Sequence, residues 1–332
     1  MTLLAFRTPA SAVATAEDPG AAAGPALAVG PVPRLTSTVP KEYVHRACHA
    51  EVFLTGSEQL NETTFAVSAQ WPRAHTFFST PDGTRHDPIQ AAETIRQAGL
   101  YLAHTRFGVP LDHKFMMWNL DYTTRPRHLL IGAAPTDLTI EAKLVAEPRR
   151  TRTTVDFTLS TVVRRGPHLA ATGYARFTTV PTSTYQRLRK GRHGIDQAPS
   201  ASPATEPLPP ARVGRLRACD VVLTPADEPG SWHLTPDLRH PILFDHANDH
   251  IPGMVLLEAA RQATNALTSP VTVTPGSAAT TFHRYAELDA HTTITARHTP
   301  GEDPDALVTT VTGHQHGEPI FTTVLTGHPD HR

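Results

Sequence analysis

Cysteine is nearly absent: Cys48 and Cys219 are the only two in 332 residues. Two cysteines cannot staple a fold together, so a cytoplasmic location is expected. Lysine is scarce as well, with only Lys41, Lys114, Lys143 and Lys190. The net charge of −1 gives no general pull toward nucleic acid. No apolar run approaches the roughly 20 residues that span a bilayer, so no membrane association is expected. The stretch from Met1 to Pro33 lacks a compact apolar run with a cleavage site, which speaks against a secretory signal. There is no phosphate-binding loop and no dinucleotide glycine fingerprint, and no cofactor is expected.

Proline, by contrast, is abundant, and it punctuates the chain. Residues 1–40 have neither charge order nor apolar periodicity and read as a disordered tail. Residues 190–212 hold Gln-Ala-Pro-Ser-Ala-Ser-Pro-Ala-Thr-Glu-Pro-Leu-Pro-Pro and read as a linker. They separate a first domain at 41–189 from a second at 213–332.

The two domains repeat one another. Glu93, Arg96 and Gln97 recur as Glu258, Arg261 and Gln262, each 165 residues later, inside apolar segments with helical periodicity. Asp87 is the expected N-cap of the first helix, and Pro88 its first residue; Pro252 is the expected start of the second. Short strand-like segments holding Ala47-Cys48 and Ala218-Cys219 are expected to open the two domains, with both cysteines buried. Period-two patterns predict strands at 115–124, 137–146, 153–163 and 168–179, and at 278–288, 292–298, 307–314 and 319–326. One long helix wrapped by a curved antiparallel sheet, twice, is the α+β arrangement of a tandem hotdog fold, whose two sheets could join.

On an exposed helix, a Glu–Arg pair three residues apart contributes only about 0.2–0.5 kcal/mol. Here the helix starting Met-Val-Leu-Leu is apolar nearly all round, so the pair is expected to be central and to work. The candidate catalytic residues are Glu93, Glu258, Arg261 and His246. Arg96, Gln97 and Gln262 are candidate substrate-binding residues. The N–H groups of Gly253 and Met254 are a candidate oxyanion hole, because a helix start leaves donors unpaired. Asp245, His246, Asp249 and His250 have no metal spacing, so no metal is expected. Trp71, Phe77 and Phe78 read as core, and His75 and His86 are weaker candidates than His246. Arginines at 149, 150, 152, 164, 165, 187, 189 and 192, with Lys190, form either a solvated edge or a dock for an acidic carrier protein.

Pro252-Gly-Met-Val-Leu-Leu-Glu-Ala-Ala-Arg-Gln-Ala, after Phe-Asp-His and Asp-His, resembles the A-factor biosynthesis (AfsA) hotdog family of actinomycetes, the γ-butyrolactone and butenolide signal synthases. The first domain agrees through Val44-His-Arg-Ala-Cys48, Trp71-Pro-Arg-Ala-His75, His86-Asp-Pro88 and Gly108-Val-Pro110. The resemblance covers about residues 41–328. It implies an acyltransferase that passes a β-ketoacyl group from acyl carrier protein, or from coenzyme A, to the hydroxyl of dihydroxyacetone phosphate. It also implies that Glu93, Glu258 and Arg261 matter for activity. A glutamate as base and Arg261 as phosphate anchor or carboxylate partner fit that chemistry. One dominant site built on Glu258 and Arg261 is expected, with Glu93 completing it or serving a second site. Two readings stay beside it: an acyl-thioester dehydratase or thioesterase, and a non-catalytic acyl-binding module. The tandem pair could stand in for a two-subunit hotdog, and a homodimer is also open.

Overall fold

The computed structural model describes residues 36–148, 153–189, 206–299, 303 and 306–329. Of the tail expected at 1–40 and the linker expected at 190–212, residues 1–35 and 190–205 lie outside the described residues. The flanking pieces that are described belong to the fold. Val39 is buried and donates to the Leu54 carbonyl; Leu208 is buried and donates to the Leu223 carbonyl.

The first repeat runs β1 (Leu54–Gln59), β2 (Thr64–Trp71), α1 (Ile89–Phe107), β3 (Lys114–Thr124), β4 (Thr136–Pro148), β5 (Val155–Arg165) and β6 (His168–Val180). A short helix, α2 (Thr182–Leu188), follows. The second repeat runs β7 (Leu223–Pro225), β8 (Ser231–Leu234), α3 (Gly253–Thr268), β9 (Val273–Phe282), β10 (Thr293–Thr299), β11 (Leu307–Gln315) and β12 (Glu318–Pro329). All these strands form one antiparallel sheet in the order β1-β2-β4-β5-β6-β3-β9-β12-β11-β10-β8-β7. The order is palindromic about the β3–β9 seam, where Asn119 pairs with Thr281 and Thr123 with Ser277. This is the tandem hotdog expected from the sequence, with the two sheets joined.

Burial follows the pattern of the residues. In β5, Phe157, Leu159, Thr161 and Val163 point inward, the period-two signature of a strand with one dry face. In α1 every residue from Ile89 to His104 except Arg96 and Tyr101 is buried, so this helix is a core element, not a surface amphipath. Gly108, at φ 67°, ends it in the left-handed conformation that glycine tolerates.

Three expectations need correction. The Ala-Cys segments are not strands: Ala47-Cys48 precedes a 3-10 turn, His49–Glu51, Ala218-Cys219 opens another, Ala218–Asp220, and both cysteines are exposed. In those turns the buried places go to Glu51 and Asp220. Nor are the cysteines counterparts: Arg46 and Arg215 end matching turns 169 residues apart, a register that sets Cys48 against Arg217 and Cys219 against Ala50. The first strand of the second repeat's long ladder starts at Val273 rather than at 278, because the Asn265 side chain grips both the N–H and the carbonyl of Val273. After Phe282 the chain leaves the sheet, and its Ala286 carbonyl receives the Ile251 N–H.

Candidate active site

Each repeat buries one carboxylate under two guanidinium groups. Glu93, with no exposed surface, accepts from Arg46 Nε at 3.0 Å, from Arg96 Nε at 2.8 Å and Nη2 at 2.7 Å, and from Gln97 at 2.8 Å. Glu258, equally buried, accepts from Arg215 Nε at 2.8 Å and Nη2 at 2.5 Å, from Arg261 at 2.9 and 2.8 Å, and from Gln262 at 2.6 Å. The spacing explains the triplet. At i, i+3 and i+4 on a helix, the acid, arginine and glutamine share one face. Each glutamine then bridges to the next segment, Gln97 to Phe53 N–H and the Glu51 carbonyl, Gln262 to Val222 N–H and the Asp220 carbonyl.

The outer arginines tie the repeats to each other. Arg46 of the first donates to the Ile242 carbonyl of the second at 2.9 Å. Arg215 of the second donates to the Phe77 carbonyl of the first at 2.6 Å, and its guanidinium carbon lies 3.9 Å from the Phe77 ring centre. His75 and His240 brace the acceptors identically, each accepting two backbone N–H groups through Nδ1.

Burial pushes both glutamates upward, but the paired arginines outweigh it and hold each carboxyl down at about 2. The unfolded chain takes up these protons near 4.5, so the stability they contribute is present above that pH and is lost as pH falls toward 2. Burial first, then neighbouring cations, depresses His45 to about 3 and His86 to about 4. The unfolded chain protonates these near 6.5, so they weaken the fold in the same direction and begin earlier. The urea midpoint is therefore expected to decline below pH 6.5 and more steeply below pH 4.5. A midpoint flat from pH 7 to 4 would contradict this.

The two helix starts differ. In α1 the Asp87 carboxylate accepts the Ile89 N–H at 3.1 Å and so occupies its own helix terminus. The matching residue before α3 is Pro252, which carries no acceptor side chain. The N–H groups of Gly253 and Met254 consequently have no protein acceptor among the described residues. Both residues line a cavity of about 840 Å³. Its polar wall includes His45, Arg46, Arg96, Lys114, Asp245 and His246. Its apolar wall includes Leu100, Phe115, Met117, Leu256 and Phe282. Arg96 is 19% exposed and reaches the cavity, whereas Arg261 is 8% exposed and donates inward to the Val213 and Gly214 carbonyls.

The family model of the A-factor biosynthesis hotdog domain matches residues 28–181 and again 196–329. The chain belongs to the A-factor biosynthesis hotdog family. Three relatives named 2-oxo-3-(phosphooxy)propyl 3-oxoalkanoate synthase agree with that membership. The protein from Streptomyces virginiae is 43% identical over 88% of this chain and 98% of its own length. That from Streptomyces griseus subsp. griseus is 38% identical over 91% and 97%. That from Streptomyces coelicolor is 39% identical over 87% and 91%.

In this member of the A-factor family, the sequence-derived site residues divide by position. Arg96, His246, Gly253 and Met254 meet at the cavity wall. Glu93 and Gln97 stand behind Arg46 and Arg96, and Glu258, Arg261 and Gln262 form the matching cluster away from this cavity. The loop of aspartates and histidines disperses. Asp245 accepts the Ala47 and Cys48 N–H groups, and Asp249 receives Tyr185, His250 and Arg189. Arg189, expected on the surface, is buried against Glu287 and Asp249, and residues 149, 150, 152, 190 and 192 of that basic cluster lie outside the described residues. Trp71, Phe77 and Phe78 are core. Sequence reading missed Arg46, Arg215 and His45. The signal was there as Val44-His45-Arg46 and Val213-Gly214-Arg215, a short Val-x-Arg repeat at a different offset from the helices.

Proposed function

We propose that the chain is an acyltransferase of the 2-oxo-3-(phosphooxy)propyl 3-oxoalkanoate synthase type, a step in γ-butyrolactone signal synthesis. The product in that name is a β-ketoacyl ester of dihydroxyacetone phosphate, so the substrates are a β-ketoacyl thioester and dihydroxyacetone phosphate. The observation that carries the reading is the uncapped start of α3, opening on the same cavity as Arg96. Gly253 and Met254 N–H groups suit the oxyanion that forms when a hydroxyl attacks the thioester carbonyl. The phosphate goes to Arg96, whose Nη1 is uncommitted, with Lys114 nearby on the wall; the buried Arg261 is not its anchor. The acyl chain lies along Leu100, Phe115, Met117 and Leu256.

Glu93 and Glu258 are positioning residues here, not bases. Neither carboxylate lines the cavity: each is enclosed by two guanidinium groups and a glutamine, so no substrate hydroxyl reaches it. Glu93 fixes Arg46 and Arg96 for the cavity; Glu258 fixes Arg215 and Arg261 for the fold. A single chain supplies both halves of the site, so a homodimer is not needed. The donor is acyl carrier protein or coenzyme A thioester, and the setting is the cytoplasm, where these substrates are made.

Purified protein mixed with a β-ketoacyl thioester and dihydroxyacetone phosphate is expected to yield, by mass spectrometry, an ester that requires both substrates. Thioester loss at the same rate without dihydroxyacetone phosphate would make it a thioesterase. Binding without turnover would make it an acyl-binding module.

A further inference from the structure

The two 3-10 turns that deliver Arg46 and Arg215 end in the left-handed conformation, at His45 (φ 52°) and Gly214 (φ 66°). Glycine holds that conformation freely; a histidine holds it against the clash of its own Cβ with the backbone. The histidine side chain is then held in a chain of contacts. His45 Nε2 lies 2.9 Å from His104 Nε2, and His104 Nδ1 lies 2.7 Å from the Val109 carbonyl. A carbonyl only accepts, so His104 carries its proton on Nδ1 and offers a lone pair at Nε2. His45 must donate from Nε2, which leaves its own lone pair on Nδ1. That atom has no protein partner among the described residues, and His45 lines the cavity. Phe115 packs edge-on against His45 at 5.0 Å and holds both rings.

The second repeat has none of this. Gly214 stands for His45 and Ser269 for His104. A Cβ on Gly214 would meet Arg261 at 3.2 Å and Asn265 at 3.3 Å, so a side chain there would have to push both aside. The counterpart of Asn265 in the first repeat is Leu100, which lines the cavity.

We propose that His45 takes the proton of the attacking substrate hydroxyl at Nδ1, with His104 as the positioning residue that fixes its tautomer. This rests on the acyl-transfer reading above. The hydroxyl oxygen forms the new C–O bond, its proton moves to His45 Nδ1, and the carbonyl electrons move to the oxygen facing the Gly253 and Met254 N–H groups. On collapse the C=O bond reforms, the C–S bond breaks, and the leaving thiolate takes the proton back from Nδ1. His246 suits the task less well. Its side chain is 46% exposed, and its ring partner, Asp245, is 3.5 Å away and already bonded to two backbone N–H groups. Burial, together with Arg96 and His104 from α1, His246 from the loop and Lys114 from β3, keeps His45 neutral in the empty site. A bound phosphate dianion offsets the fixed charges of Arg96 and Lys114, the part of that depression not due to burial, and raises the basicity of the ring when substrate is present.

The test is His45→Gly, which places in the first turn the residue the second already uses. Its urea midpoint is expected to hold or rise, while kcat falls by about 10²–10⁴-fold. Added imidazole is expected to restore part of the rate, a readout that a structural role would not move. His104→Phe is expected to lower kcat at unchanged KM, and His246→Asn to lower it by less than about tenfold. Three results would overturn the assignment: a His45→Gly enzyme within about fivefold of the parent, a lost rate that imidazole does not rescue, or a His246→Asn loss as large as that of His45→Gly. The parent enzyme separates the two levels. If it forms no ester, the acyl-transfer reading falls and this assignment with it; if it forms ester and His45→Gly does too, only the role of His45 falls.

Discussion

Glu258→Ala is expected to cost about 3–5 kcal/mol of stability, the range for removing one partner of a buried ion pair. The glutamate has no exposed surface, and its two arginines are 4% and 8% exposed. Without it, two guanidinium groups share the core with only the Asp87 carboxylate, 3.5 Å from Arg215, and Gln262 loses one of its two acceptors. Arg215 also joins the repeats through the Phe77 carbonyl, so the damage spreads past its own cluster. A drop in melting temperature on the order of 10 °C follows. Urea denaturation reads the effect directly, and activity should be expressed per folded molecule. A variant that keeps its midpoint but loses the rate would move Glu258 from support into the chemistry.

Pro252→Asp is expected to make the protein slightly more stable and nearly inactive. It copies the Asp87 arrangement onto α3. The new carboxylate would accept the Met254 N–H, as Asp87 accepts that of Ile89. A good N-cap contributes about 0.5–2 kcal/mol. The same contact occupies the donors proposed to hold the oxyanion, and removal of one such donor lowers kcat by about 10²–10³-fold. Steady-state kinetics beside a urea curve would show the two effects moving in opposite directions. A rate close to that of the parent would mean that the α3 start does not face the reacting carbonyl.

The repeated triplet was legible because helix periodicity is local. Glu, Arg and Gln at i, i+3 and i+4 declare a shared face wherever the helix sits. The long strands were legible for the same reason, through alternation such as that of 154–162. The alternation in β2, where Phe65, Val67, Ala69 and Trp71 are all buried, was equally available and was missed. β7 and β8 are too short, at three and four residues, to show any period. The outer arginines were hidden for a different reason. Arg46 and Arg215 lie in turns without periodicity, and their partners, Ile242 and Phe77, are far along the chain. Their identity as a pair appears only once the two repeats are superposed at the second offset. The cysteines misled because a shared dipeptide, Ala-Cys, suggested a register that the fold does not use.

The crossed arginines also set an order on how the molecule is made. During synthesis the first repeat leaves the ribosome with Arg46 facing a place where Ile242 does not yet exist. Phe77 likewise waits, its carbonyl unmet, until Arg215 arrives. A buried donor or acceptor without a partner is costly, so each half lacks one partner for its buried arginine or carbonyl until the other arrives. What began as two copies of one unit has become a pair in which each completes the other, and separation of the halves would leave both unfinished.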